Sequence, residues 1–183
     1  MKYPDKVYLN GNIVPPEDAK ISVFDRGFIF GDGIYEVMVQ IDGKFFYEKA
    51  HLNRLQEGLN KINIAFDTSN LLIEIEKLLS VAELTGKDCL LYIQITRGVA
   101  PIMMYAVPKV LPQINSVNAK VITREDFRWS RCDIKMTSLL GNVMLNEEAM
   151  QHQCFETILH RDGFFTEASH CNVFFVKNGI VLT

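Results

Sequence analysis

The sequence predicts an α+β fold, with helices packed on a mainly antiparallel sheet. Three observations point there. Strand-like runs meet at Asn10-Gly11 and Asp42-Gly43, apolar residues recur at helical spacing between positions 50 and 84, and short strands separated by turns follow position 119.

Val7-Tyr8-Leu9, the Asn10-Gly11 turn and Asn12-Ile13-Val14 read as a hairpin, because Asn-Gly supplies the positive φ angles of a tight turn. A second hairpin runs from Ile34 to Ile41, through Asp42-Gly43, into Lys44 to Tyr47. Leu52, Leu55, Leu59 and Ile62 predict a helix over Ala50 to Ile62. Ser69 to Leu84 predicts another, with Ser69 as N-cap and Gly86 as its stop. Leu90 to Thr96 reads as a buried strand ending at Arg97-Gly98.

Pro108 to Asn118, with two prolines and several polar residues, reads as a connecting stretch. This gives a small N-terminal domain over 1–110, a linker at 111–118 and a second region over 119–183. In that region we expect a strand at Ala119 to Thr123, a helix at Ser138 to Gln151, and a strand at Phe155 to His160. A turn at Arg161-Asp162-Gly163 follows, then a strand at Asn172 to Val176, a turn at Asn178-Gly179 and a strand at Ile180 to Leu182. The chain ends at Thr183, and the last run is expected to be an unpaired half-strand.

The 183 residues are 48% hydrophobic and 22% charged, a globular balance that argues against disorder. A net charge of -3 gives no basic stripe for nucleic acid, and no apolar run is long enough to span a bilayer. Met1 to Lys6 carries no signal-peptide apolar segment. Cys89, Cys132, Cys154 and Cys171 are widely spaced, with no metal-ligand pattern, and read as reduced thiols of a cytoplasmic protein.

Three side chains suit chemistry. Lys135 precedes an apolar helix, and a lysine desolvated there becomes a nucleophile for a carbonyl carbon. Glu167 could hold a proton on a pyridine nitrogen. Arg54, between apolar helix positions, could grip a phosphate. Asp25-Arg26-Gly27 and Gly31-Asp32-Gly33 match no nucleotide-binding fingerprint and read as loop-forming. Taken singly, each residue fits a solvated surface role as well.

Taken together, the segments Asp25 to Val37, His51-Leu52-Asn53-Arg54-Leu55 and Thr96-Arg97-Gly98 resemble the small domain of fold-type IV pyridoxal-phosphate enzymes. Arg128 to Lys135 with Ser138 to Asn142 resembles that family's cofactor-lysine segment. Glu156, Arg161-Asp162-Gly163 and Thr166 to Phe174 resemble its pyridine-binding segment. The form Trp129-Ser130-Arg131-Cys132-Asp133-Ile134-Lys135 is similar to the D-amino-acid aminotransferases.

The resemblance implies a two-domain enzyme, a small α/β domain plus the first part of a larger, mostly β cofactor domain, acting as a homodimer. It implies pyridoxal 5'-phosphate held covalently by Lys135, with Glu167 at the pyridine nitrogen, Arg54 at the phosphate and Asn172 positioning the cofactor. Tyr35 and Tyr92 would line the substrate pocket. The substrates implied are an amino acid, of D configuration, and a 2-oxo acid. A branched-chain L-aminotransferase, an aminodeoxychorismate lyase and a non-catalytic remnant are the alternatives.

D-specific members follow Arg-Gly-x-x-Pro with a loop whose arginine and histidine hold the substrate carboxylate. Here Pro101 runs into Ile102-Met103-Met104-Tyr105, the strand that comes after that loop, so the loop is expected to be missing. The cofactor domain is also expected to be truncated at Thr183, and a chain made to end there is expected to lack turnover.

Overall fold

The computed structural model describes residues 3–98, 101–113, 116 and 118–183. Its contacts form two compact units: Met1–Leu111 with Asp133–Ser138, and Pro112–Cys132 with Leu139–Thr183. The segment Asp133–Ser138, which the sequence assigns to the second region, packs with the first unit. Ile114, Asn115 and Val117 of the expected linker lie outside the described residues.

The first unit is built on a six-stranded antiparallel sheet. Its strands are β1 (Val7–Leu9), β2 (Asn12–Val14), β3 (Gly33–Ile41), β4 (Lys44–Phe45), β5 (Cys89–Thr96) and β6 (Ile102–Pro108), in the order β2-β1-β6-β5-β3-β4. Both predicted hairpins form. Asn10 and Gly11 turn the first at φ 50° and 90°, and Asp42 and Gly43 the second at 47° and 75°.

Burial alternates along β3, with Ile34, Glu36, Met38 and Gln40 buried and Tyr35, Val37 and Val39 half-buried. Ile34 and Met38 pack with Leu91, Ile93 and Met104 of β5 and β6 in one core. Two helices close that core, α2 (Glu48–Lys61) and α3 (Leu71–Val81), through Leu55, Leu59, Ile75 and Leu78. Each such side chain contributes ~1.5–3 kcal/mol by leaving water.

Three local expectations are corrected in this unit. Ser69 does not cap α3: its hydroxyl donates to Asp67, and the helix starts after Asn70. The helix ends at Val81, well before Gly86, because Glu83 at φ 57° takes the left-handed conformation that lets Leu84 N return to Leu79 O; Gly86, at φ 74°, turns the chain further on. The Asp25-to-Gly33 stretch also contains more than a loop. Asp25 caps a short helix, α1 (Arg26–Phe30), by accepting from Gly27 N at 2.8 Å, and Gly31 ends it at φ 64°.

The strand expected at Ile102 is β6. Thr96 N donates to Pro101 O at 2.9 Å, which sets the end of β5 beside the start of β6; Val99 and Ala100 lie outside the described residues.

In the second unit, β7 (Val121–Glu125) runs parallel to β8 (Glu156–Arg161), with α4 (Leu140–Gln151) lying between them in sequence. An antiparallel strand, β9 (Phe164–Ala168), follows through a turn with Asp162 and Gly163 at φ 51° and 81°. Leu145 and Ala149 of α4 are its buried anchors. The β7 strand starts two residues later than expected. The strand expected at Asn172 is confined to β10 (Phe175–Lys177), which pairs with β11 (Ile180–Leu182). The final run is therefore paired, contrary to expectation. No helix among the described residues is long and apolar enough to cross a membrane.

Candidate active site

Lys135 owes its position to an incomplete strand edge. β4 covers only Gln40 and Ile41 of β3, so the opposite end of that edge can accept another segment. Residues 134–137 occupy it: Tyr35 N donates to Lys135 O at 3.0 Å, Thr137 N donates to Gly33 O at 3.0 Å, and Ile34 bridges Met136. Ile134 enters the core beside them, and Lys61 ties down Asp133 at 2.9 Å.

Because the backbone is anchored on both sides, the half-buried Lys135 side chain meets Tyr35. Its Nζ donates to the Tyr35 hydroxyl at 3.2 Å and lies 4.3 Å from the ring centroid. Tyr35 stacks on Tyr92 at 5.6 Å, and Tyr92 on Tyr105 at 5.1 Å, since all three share one face of the sheet. Burial, with Tyr105 and Tyr35 adding to it, pushes the Tyr92 phenol well above the usual tyrosine range.

Glu36 follows Tyr35 on β3 and therefore points to the other face, where it is 0% exposed. Arg54 of α2 grips it with two bonds, Nε to Oε2 at 2.8 Å and Nη2 to Oε1 at 2.7 Å. His51 Nδ1 lies 3.0 Å from the same Oε1. Burial raises the Glu36 carboxyl, but the Arg54 bonds, the Val37 amide and His51 outweigh it and hold the group below the usual carboxylate range.

In the second unit, Glu167 lies on β9 itself, and not between two strands as the sequence suggests. Its Oε2 accepts from Arg128 Nη1 at 2.6 Å, while Oε1 takes no hydrogen bond among the described residues. Arg128 is 6% exposed and also forks onto Asp126, Nε to Oδ1 at 2.9 Å and Nη2 to Oδ2 at 3.0 Å. Thr166 donates to Asp126 as well, and Arg161 donates to the Asp126 and Arg128 carbonyls.

Burial works against the Asp126 carboxylate, yet the Arg128 and Thr166 bonds hold its pKa down at about 2. The same pairing with Asp126 raises Arg128, so this guanidinium stays charged although buried. Beside it, a cleft of about 550 Å³ is lined by Glu167, Thr166, Cys171, Asn172 and Phe174. Asn172 thus shares a wall with Glu167.

Glu156, His170 and Cys171 bring a carboxylate, an imidazole and a thiol within 4.8 Å of one another. The buried Glu156 is already served by the protein: Thr157 N, Ser169 N and the Ser169 hydroxyl reach Oε1, and the amides of His170 and Cys171 reach Oε2. Its evident work is to hold the turn that carries Asn172.

The structure therefore brings Lys135, Tyr35 and Tyr92 together in the first unit, where Arg54 also lies, and Glu167 with Asn172 in the second. The sequence reading missed Glu36, His51, Asp126 and Arg128 as partners of these groups. Glu36 had a readable signal, a charge at an inward position of an alternating strand. Arg128 had none, because its fork onto Asp126 depends on the turn between them.

The sequence model described as Amino-transferase class IV matches residues 33–183. The chain is 39% identical to a D-alanine aminotransferase of Staphylococcus epidermidis, over 97% of this chain and 68% of that one. It is 37% identical to the D-alanine aminotransferase of Listeria monocytogenes, over 97% and 67%. These alignments run over 194 and 196 positions, more than the whole chain, so the relatives carry residues with no counterpart here.

Among solved structures, the branched-chain aminotransferase of the archaeon Thermoproteus uzoniensis with norvaline superposes with a TM-score of 0.81 at 21% identity. That match covers 96% of this chain and 66% of the other. A hypothetical aminotransferase from Mycobacterium tuberculosis, in its form with α-ketoglutarate and PMP bound, gives 0.84 at 19%, covering 97% and 70%. The chain belongs to the class IV aminotransferases, the fold-type IV enzymes that transfer amino groups with pyridoxal 5'-phosphate.

Proposed function

We propose that the protein moves an amino group between a D-amino acid and a 2-oxo acid, with pyridoxal 5'-phosphate attached to Lys135. The observation that carries the reading is the half-buried Lys135 amine, anchored through its own backbone to β3 and hydrogen-bonded to Tyr35. The donor set suits this cofactor: an amine for its carbonyl carbon, a guanidinium at Arg54 for its phosphate, and the Glu167 carboxylate for its ring nitrogen.

When bound, the cofactor supplies an electrophilic carbon and a ring that withdraws electrons. The chain's own residues do the rest. Once the substrate amine has displaced Lys135 from the cofactor carbon, the freed Lys135 amine would take the proton from the substrate α carbon and pass it to the cofactor carbon bonded to the transferred nitrogen. Glu167 keeps a proton on the ring nitrogen, held in place by Arg128. Asn172, in the same cleft, positions the cofactor. Tyr35 and Tyr92 line the substrate side, where stacked rings exclude water.

The D preference is supported by 39% identity to a D-alanine aminotransferase. A branched-chain L-aminotransferase is the second reading, favoured by the sequence between β5 and β6, where Arg97 to Pro101 are too few residues for the carboxylate-holding loop expected of D-specific enzymes. The reading includes a small domain at 1–110, a linker at 111–118 and cofactor-domain residues from 119 onward. It also includes a homodimer, supported by exposed Phe24, Phe28 and Phe30, and a cytoplasmic location, supported by four cysteines that form no disulfide.

Because a chain made to end at Thr183 is expected to lack turnover, the test is to assay the full-length protein with 2-oxoglutarate and either D-alanine or L-leucine. Turnover of D-alanine supports the first reading, turnover of L-leucine alone the second, and turnover of neither rejects both.

A further inference from the structure

Resting on the reading of Arg54 as the phosphate-binding arginine, we infer that Glu36 is a positioning residue, which holds the Arg54 guanidinium in the orientation that receives the cofactor phosphate. Glu36 is the one charged side chain buried in the six-stranded sheet among the described residues. Its neighbours on the same face of β3, Ile34 and Met38, are apolar and fully buried. Packing alone would be served by another apolar residue, and a buried carboxylate is costly unless fully paired.

The pairing specifies an orientation. Arg54 offers Nε and Nη2 to the two Glu36 oxygens, so the plane of the guanidinium is set by two bonds. The Arg54 side chain is 52% exposed, and the fork narrows the rotamers such a long side chain samples. His51, three residues earlier on α2, reinforces the arrangement. Its Nδ1 must carry the proton to bond the carboxylate at 3.0 Å, so the 3.3 Å approach of Arg54 Nη2 to that nitrogen is no hydrogen bond. Both side chains converge on Glu36 rather than on each other.

The charge of Glu36 opposes a phosphate, and this gives the test its sign. If Coulomb repulsion dominated, removing the charge would tighten the cofactor. If orientation dominates, removal weakens it, and only through the phosphate.

The test compares the dissociation constants of pyridoxal phosphate and phosphate-free pyridoxal, read by absorbance, in the purified protein and in Arg54→Gln, Glu36→Gln and Glu36→Asp. We expect Glu36→Gln to weaken pyridoxal phosphate about tenfold or more while leaving pyridoxal unchanged. Glu36→Asp keeps the charge but shortens the reach, so it falls between, and it carries the test if the glutamine variant does not fold. In Glu36→Gln/Arg54→Gln the loss should equal that of Arg54→Gln alone.

Tighter or unchanged binding of pyridoxal phosphate, or equal weakening of both ligands, overturns the inference. If Arg54→Gln leaves the preference for the phosphorylated ligand intact, the phosphate reading itself has failed. If Arg54→Gln abolishes that preference and Glu36→Gln does not touch it, only the inference about Glu36 fails.

Discussion

The Lys135 amine donates to the Tyr35 hydroxyl at 3.2 Å across 100 residues of sequence, while the Tyr35 amide donates to the Lys135 carbonyl. This double tie couples the position of the amine to that of the strand. Tyr35→Phe keeps the backbone bond and the ring stacking but removes the hydroxyl acceptor. It should lower kcat about tenfold, roughly one hydrogen bond to a charged group, with the cofactor still attached. An unchanged kcat would make the hydroxyl a bystander.

Glu167 and Arg128 lend themselves to a second test. Glu167→Gln keeps the shape of the side chain but removes the charge proposed to face the ring nitrogen. Cofactor should remain bound, and single-turnover proton transfer should slow by at least on the order of a hundredfold. Equal rates in the two proteins would assign Glu167 to the Arg128 pairing alone.

Asp126 predicts a pH dependence of stability. Its folded-state pKa is depressed to about 2, so the unfolded chain binds the proton more readily. The stabilisation is complete above the ordinary carboxylate pKa, roughly 4, and is lost as pH falls through about 2. Asp126→Asn leaves the buried Arg128 without its fork, and should cost about 3 kcal/mol at neutral pH. Thermal melts of both proteins should converge as pH falls from 4 towards 2, and a gap that persists there would refute the assignment.

Strands and turns with chemically explicit signals were legible in the sequence. Asn10-Gly11, Asp42-Gly43 and Asp162-Gly163 all form turns with positive φ at both residues, as their side chains allow. The α2 helix followed from its apolar spacing. The short α1 helix was missed because five residues give no periodicity, and only the Asp25 cap and the left-handed Gly31 sustain it. β9 was missed because Phe164 to Glu167 are all exposed, so no alternation marks them.

At the site, residue types were readable and their pairings were not. The sequence pointed to Lys135, Arg54 and Glu167, whereas the ties to Tyr35, Glu36 and Arg128 arise from distant segments meeting.

Phe24, Phe28, Ile29 and Phe30 are exposed on and beside α1, an apolar inventory that water does not favour. If they form a two-fold contact, light scattering should give twice the chain mass at micromolar concentration. Phe28→Asp should then shift the protein towards monomer. A parent protein that is monomeric at that concentration would reject the dimer.

The central claim is that Lys135 carries the cofactor. Loading the protein with pyridoxal phosphate, reducing with borohydride and mapping the labelled peptide tests it most directly. The account predicts a single label on Lys135, abolished in Lys135→Ala, and a label on any other lysine, or none at all, would contradict it.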